Sequence, residues 1–265
     1  MLSIALLMIC AMTAPARVQA ADEPGITTAA PGQYDYRKTP GLEIRVVGGG
    51  WGNVRAGDIE PVLYSVAAVL LEHFPGRRLN AVLVSHSPER PMTLYKKGPA
   101  NAYQVQLSAS GEQWARYAYE FAHEFSHILM NYDHHADAQT ATFNQWFEEA
   151  LCEAASLYAL KRLAFVWEFW PPRPQLAAYA PEFERYVERF LNETHRRLAP
   201  DVSVAEWFQA HEETLRGRAY LRDHNEVVAN LLLPLFEENA ALWEAIGYLN
   251  LEPKRSTFRE YLQTW

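Results

Sequence analysis

His123, Glu124 and His127 stand in the pattern H-E-x-x-H, inside a segment of helical periodicity. Residues four apart on a helix share a face, so both imidazoles can reach one cation and Glu124 can reach a water held beside it. Residues of these types at this spacing suit metal-assisted hydrolysis. Two imidazoles alone hold a metal weakly, however. A catalytic zinc site uses three protein ligands and keeps one position open, so the rest of the chain must supply the third.

Acidic candidates lie close by in the sequence. The next helical segment reads Trp146-Phe147-Glu148-Glu149-Ala150-Leu151-Cys152-Glu153-Ala154, and Asp133 follows His127 by six residues. H-E-x-x-H followed by this W-x-x-E-A helix resembles the gluzincin branch of zinc peptidases, which includes thermolysin and related aminopeptidases. The resemblance covers residues 100–160 well and the rest in outline. It implies a bound Zn2+, with Glu149 as third ligand beside His123 and His127. It makes Glu124 the base, Glu153 a brace for His123, and Trp146 the aromatic residue three before the ligand. Glu148 competes with Glu149, but its neighbour four residues on is Cys152, which cannot brace a histidine as a carboxylate does. The metzincin pattern would use Asp133, and it needs a glycine where this chain has Met130. The interval from His127 to Glu149 is longer than in many gluzincins, which a loop insertion at 132–142 absorbs. His134 and His135 read as surface histidines in a polar loop, and Cys152 as a packing residue.

The same resemblance implies a further donor for the oxyanion, from a later helical segment. The candidates are His224, which is preferred, and Tyr220; Asp223 stands next to His224 as a group that could keep it charged. It also implies an edge strand that binds extended peptide, a role that falls on the strand before the active helix, Tyr103 to Leu107. The expected fold is α+β and zincin-like, with a small N-terminal sheet and helices followed by a mostly helical lobe, across residues 41–265. The expected partner is a peptide or protein substrate. Two rivals are a non-catalytic zincin-like domain that binds peptide or cell wall, and a zinc hydrolase acting on a non-peptide amide.

Hydrophobic patterning supplies the elements that must position these residues. Strands are expected at 42–47, 79–85 and 103–107, the last from the alternation Tyr, Gln, Val, Gln, Leu. A helix is expected from a cap at Asp58 to His73, with Pro61 in its first turn. Residues 86–101 carry three prolines, Pro88, Pro91 and Pro99, and read as loop. The active-site helices are expected at 112–131 and 143–167, with later helices at 181–198, 203–216 and 223–246. Pro171, Pro172 and Pro174 break the chain between them. The aromatic cluster Phe165, Trp167, Phe169 and Trp170 is expected to pack between helices, with lining of a substrate pocket as the alternative.

Composition bounds the rest. The chain has 265 residues, 49% of them hydrophobic, and a net charge of -8. That is enough apolar material for a sizeable core, and no basic block marks a nucleic-acid or anionic-membrane partner. Residues 1–20 read as a signal peptide, with an apolar run from Leu2 to Met12 and a cleavage site after Ala20. Ile9 stands where a lipoprotein signal before Cys10 would need a small residue. Residues 21–40 read as a mobile leader. Export to the periplasm or exterior follows, with no stable membrane insertion after cleavage. Cys152 is then left without an internal disulfide partner.

Overall fold

The computed structural model describes residues 41–135, 144–251 and 256–265. The expected signal peptide and leader lie outside these residues, as does most of the expected insertion. The architecture is α+β: a four-stranded sheet at the front and a mostly helical remainder.

Strands β1 (Ile44–Val46), β2 (Val82–His86), β3 (Met92–Leu94) and β4 (Tyr103–Leu107) lie in the order β1-β2-β4-β3. β1, β2 and β4 are parallel, and β3 runs antiparallel to β4, with Thr93 opposite Val105. Tyr103 to Leu107 is therefore a strand as expected but not an edge. It is paired on both sides, and Val105 and Leu107 are fully buried. The edges are β1 and β3, and β3, beside α2, lies within the segment expected to be loop. Three residues after Pro91 are too few to give a periodic signal, and β3 exists because β4 offers it a partner.

Parallel strands need a crossover, and helix α1 (Ala56–Leu71) joins β1 to β2. Its N-cap is Arg55 rather than Asp58. Asp58 sits in the first turn and accepts from the Arg55 backbone N–H at 3.0 Å. Pro61 lies beyond the first turn, where its missing N–H would leave the Gly57 carbonyl unpaired. Arg173 fills that gap, donating to the Gly57 carbonyl and to the Asp58 carboxylate. Hydrogen bonding from Arg173, then from the Arg55 backbone, depresses the Asp58 pKa from 3.8 to about 2. A carboxylate with a depressed folded-state pKa stabilises the fold above its unfolded value, and that stability is lost as pH falls through the folded one. Calorimetry should find Asp58→Asn less stable than wild type near neutral pH. The gap in Tm should narrow as pH drops from 3.8 toward about 2; a gap that stays constant would remove Asp58 from this linkage.

Helix α2 (Trp114–Leu129) carries H-E-x-x-H. It ends because Asn131 adopts a left-handed φ of 58°, a conformation asparagine tolerates. The Asn131 amide then ties the helix end to the carbonyls of Gly247 and Leu249, at 2.8 and 3.0 Å. Helix α3 (Gln145–Phe169) is buried nearly all round, from Trp146 to Trp167, and packs against α2, α4 (Ala180–Leu191) and α6 (Arg222–Glu238). A helix apolar on all faces belongs at the centre of a domain, and α3 is that centre. Its last turns are less buried: Trp167 is in the core, but Phe165 and Phe169 are exposed.

Helices α5 (Val204–Gly217) and α6 lie near the expected positions, although α6 stops at Glu238 and 3₁₀ turns follow over Ala240–Tyr248. α4 also stops early, and its expected tail becomes a 3₁₀ turn at Thr194–Arg196. A short helix α7 (Phe258–Thr264), not anticipated, caps the base of α3 by packing Phe258 against Trp146 and Phe147. No described helix is long and apolar enough to cross a membrane.

Candidate active site

α2 and α3 lie side by side, and the face they share opens into a cavity of about 400 Å³. The other wall is strand β3 and the start of α6. From α2, His123 and His127 project one turn apart, with ring centroids 5.2 Å from each other. From α3, Glu149 meets both. One carboxylate oxygen lies 3.2 Å from His123 Nε2 and the other 3.6 Å from His127 Nε2. These three side chains are brought together as expected.

The backs of the rings are also occupied. Glu148 Oε1 lies 2.5 Å from His127 Nδ1, and its other oxygen accepts from Asn250 Nδ2 at 2.8 Å. Glu148 thus faces the Nδ1 side of His127, while Glu149 faces Nε2. Glu153 faces His123 Nδ1 at a looser 4.0 Å. It accepts from Tyr119 Oη at 2.5 Å and from the fully buried Arg196 at 2.8 Å. A proton held at His127 Nδ1 by Glu148 leaves the Nε2 lone pair of His127 toward Glu149, whereas Glu153 is too far from His123 Nδ1 for a hydrogen bond. Two imidazole nitrogens and one carboxylate gathered here, with His127 held from behind, fit the donor set of a catalytic zinc.

Burial works against charge on these groups, and their neighbours decide the outcome. Burial lowers the His123 pKa, but Glu149 and Glu124 outweigh it and the net direction is up. Burial raises the Glu149 pKa, but His127 and His123 reverse it and hold the carboxylate ionised. Glu124 goes the other way. Burial pushes its pKa up, and His123, His127 and the Thr93 hydroxyl offset that only in part. A raised carboxylate pKa moves a general base closer to neutral pH. Thr93 Oγ1, on the edge strand, lies 2.9 Å from Glu124 Oε2 and 2.8 Å from the Glu124 carbonyl. One hydroxyl thus ties β3 to α2 at Glu124.

Tyr220 lines the cavity, its hydroxyl accepting from Gln145 Nε2 at 2.7 Å. His224 does not line it. The His224 ring packs against His211 and Trp207, at centroid distances of 4.8 and 5.9 Å. Burial, and then His211, lower its pKa and outweigh Asp223, so the expected charged donor is absent from that position. Helical periodicity placed His224 on the right helix, but the cavity receives the face bearing Arg222, Asn225 and Glu226. Asp133 pairs with Lys97 at 3.2 Å and does not line the cavity, and His134 is exposed.

Cys152 is buried near His127, and burial pushes its thiol up to about 12. A bound cation would displace the thiol proton, and Sγ lies within 4.8 Å of ring nitrogens of both His123 and His127, so sulfur is a second candidate for the third ligand. A second acidic group, Glu193, His195 and Glu226, has a similar clustering. There Arg196 pairs with both glutamates and Arg222 with Glu226, so cations of the chain already offset the carboxylates.

Thr93, Gln145, Glu148, Arg196 and Asn250 were not assigned roles from sequence. Gln145 had a legible signal, since it precedes Glu149 by one helical turn and shares its face. Asn250 and Arg196 had none, because long-range folding alone brings them in. No family model matches the chain, nor does any curated protein or solved structure.

Proposed function

We propose that the chain is an exported zinc-dependent peptidase of the gluzincin type, built on a zincin-like fold. The observation that carries this is the Glu149 carboxylate, whose two oxygens lie 3.2 Å from His123 Nε2 and 3.6 Å from His127 Nε2, on the two helices that also carry the buried Glu124. A zinc ion, when bound, supplies Lewis acidity toward a carbonyl and lowers the pKa of water. The remaining work falls to the chain. Glu124 takes the proton of the attacking water and returns it to the leaving amine. The Tyr220 hydroxyl donates to the carbonyl oxygen as negative charge gathers there. The unpaired edge of β3 offers main-chain groups to an extended peptide lying along the cavity.

The test is digestion of a peptide library by zinc-reconstituted protein, read by mass spectrometry. Cleavage should stop with a chelator and return with added zinc. A protein that binds zinc yet cleaves no peptide would favour a binding module. The donor has its own test. Tyr220→Phe should lower kcat by about 10²–10³-fold, as loss of one oxyanion donor does. His224→Ala, outside the cavity, should leave kcat near wild type. The opposite pattern would return the role to His224.

A further inference from the structure

Tyr220 is 65% exposed and sits on the turn between α5 and α6. A phenol this exposed has little packing among the described residues to hold its hydroxyl at one point. Among the described residues, its hydroxyl has one hydrogen-bond partner, Gln145, at 2.7 Å. Gln145 is the first residue of α3, one turn before Glu149. Its Nε2 also lies 3.4 Å from the hydroxyl of Tyr95, which follows the edge strand. The amide nitrogen has two protons, and the two phenols are the acceptors within reach. The direction of donation then matters. A hydroxyl that accepts from Gln145 keeps its own proton free to donate elsewhere, and accepting one bond strengthens the bond it donates.

We propose that Gln145 is a positioning residue for catalysis: its amide holds the Tyr220 hydroxyl over the cavity and leaves the phenolic proton pointing toward the substrate carbonyl. This rests on the peptidase function proposed above. Gln145 does not touch the reacting atoms, and it acts through Tyr220. Because α3 carries both Gln145 and Glu149, the donor and the metal ligand are fixed by one rigid element. The oxyanion position is thus set by the same helix that sets the metal.

Gln145→Glu and Gln145→Ala separate this role from packing. The carboxylate of Gln145→Glu keeps the shape but can only accept, so it would capture the Tyr220 proton. Turnover should then fall about 10²-fold or more, close to Tyr220→Phe. Gln145→Ala frees the phenol without capturing its proton, and should lower kcat roughly 10- to 100-fold through misplacement, with KM little changed. The probe is a fluorogenic version of the peptide that the library digest shows to be cleaved fastest. Zinc content and Tm serve as controls for the fold. The deciding comparison is the double variant: Gln145→Ala added to Tyr220→Phe should cost no further activity. Gln145→Glu with wild-type turnover, or losses that multiply in the double variant, would overturn the role of Gln145 while peptide cleavage by wild type still stands. A wild type that cleaves nothing would overturn the peptidase function and this role with it.

Discussion

Glu124→Gln is expected to keep the fold and the zinc while lowering peptide hydrolysis by about 10²–10⁴-fold, the usual contribution of a positioned general base. Three features of the site lead to this. Glu124 is buried, with 5% exposure, so no bulk water stands in for its carboxylate. Its pKa is raised chiefly by burial, which makes the carboxylate a stronger base than one in water. It also lies next to the convergence of His123, His127 and Glu149 without being part of it. Glutamine matches glutamate in size, and its carbonyl oxygen can still accept from Thr93, so the strand-to-helix tie at 2.9 Å survives. Only the basicity is lost. Library digestion beside metal analysis reads both sides of the expectation. Equal cleavage by variant and wild type would take Glu124 out of the mechanism.

The second large effect concerns zinc affinity. Glu149→Ala should weaken zinc by more than about 100-fold, beyond the 10–100-fold range of changes behind the ligands. Glu148→Ala and Glu153→Ala should both fall inside that range. Of the two, Glu148→Ala should do more damage, because Glu148 holds His127 at 2.5 Å while Glu153 stands 4.0 Å from His123. Asp133→Ala should leave affinity unchanged, since Asp133 is engaged with Lys97. Competition against a chromophoric chelator measures the whole series. If Asp133→Ala proves the most damaging, the metzincin spacing governs the site. If Cys152→Ser exceeds Glu149→Ala, sulfur belongs in the ligand set.

The central constellation was legible because it is local. His123, Glu124 and His127 lie on one helix, and Glu148, Glu149 and Glu153 on the next, so helical spacing alone decides which side chains share a face. The parallel core strands and the two helices that carry these residues were legible for the same reason, through apolar periodicity. What failed depends on contacts distant in sequence. β3 is three residues long and becomes a strand only because β4 pairs with it, so the edge was assigned to the wrong strand. His224 was chosen over Tyr220 by proximity to a helix start, yet the rotation of α6 is fixed by Arg222 and Glu226 pairing with each other and with Tyr119 and Arg196. Asn250 reaches Glu148 from 102 positions away, which no local pattern encodes.

The most direct test of the central claim is an anomalous difference map, recorded at the zinc absorption edge from crystals of the zinc-loaded protein. One strong peak per chain is expected, in contact with His123 Nε2, His127 Nε2 and the Glu149 carboxylate, with a side open to the cavity beside Glu124. A peak bonded to Cys152 Sγ, a peak among Glu193, His195 and Glu226, or none at the paired histidines would contradict it.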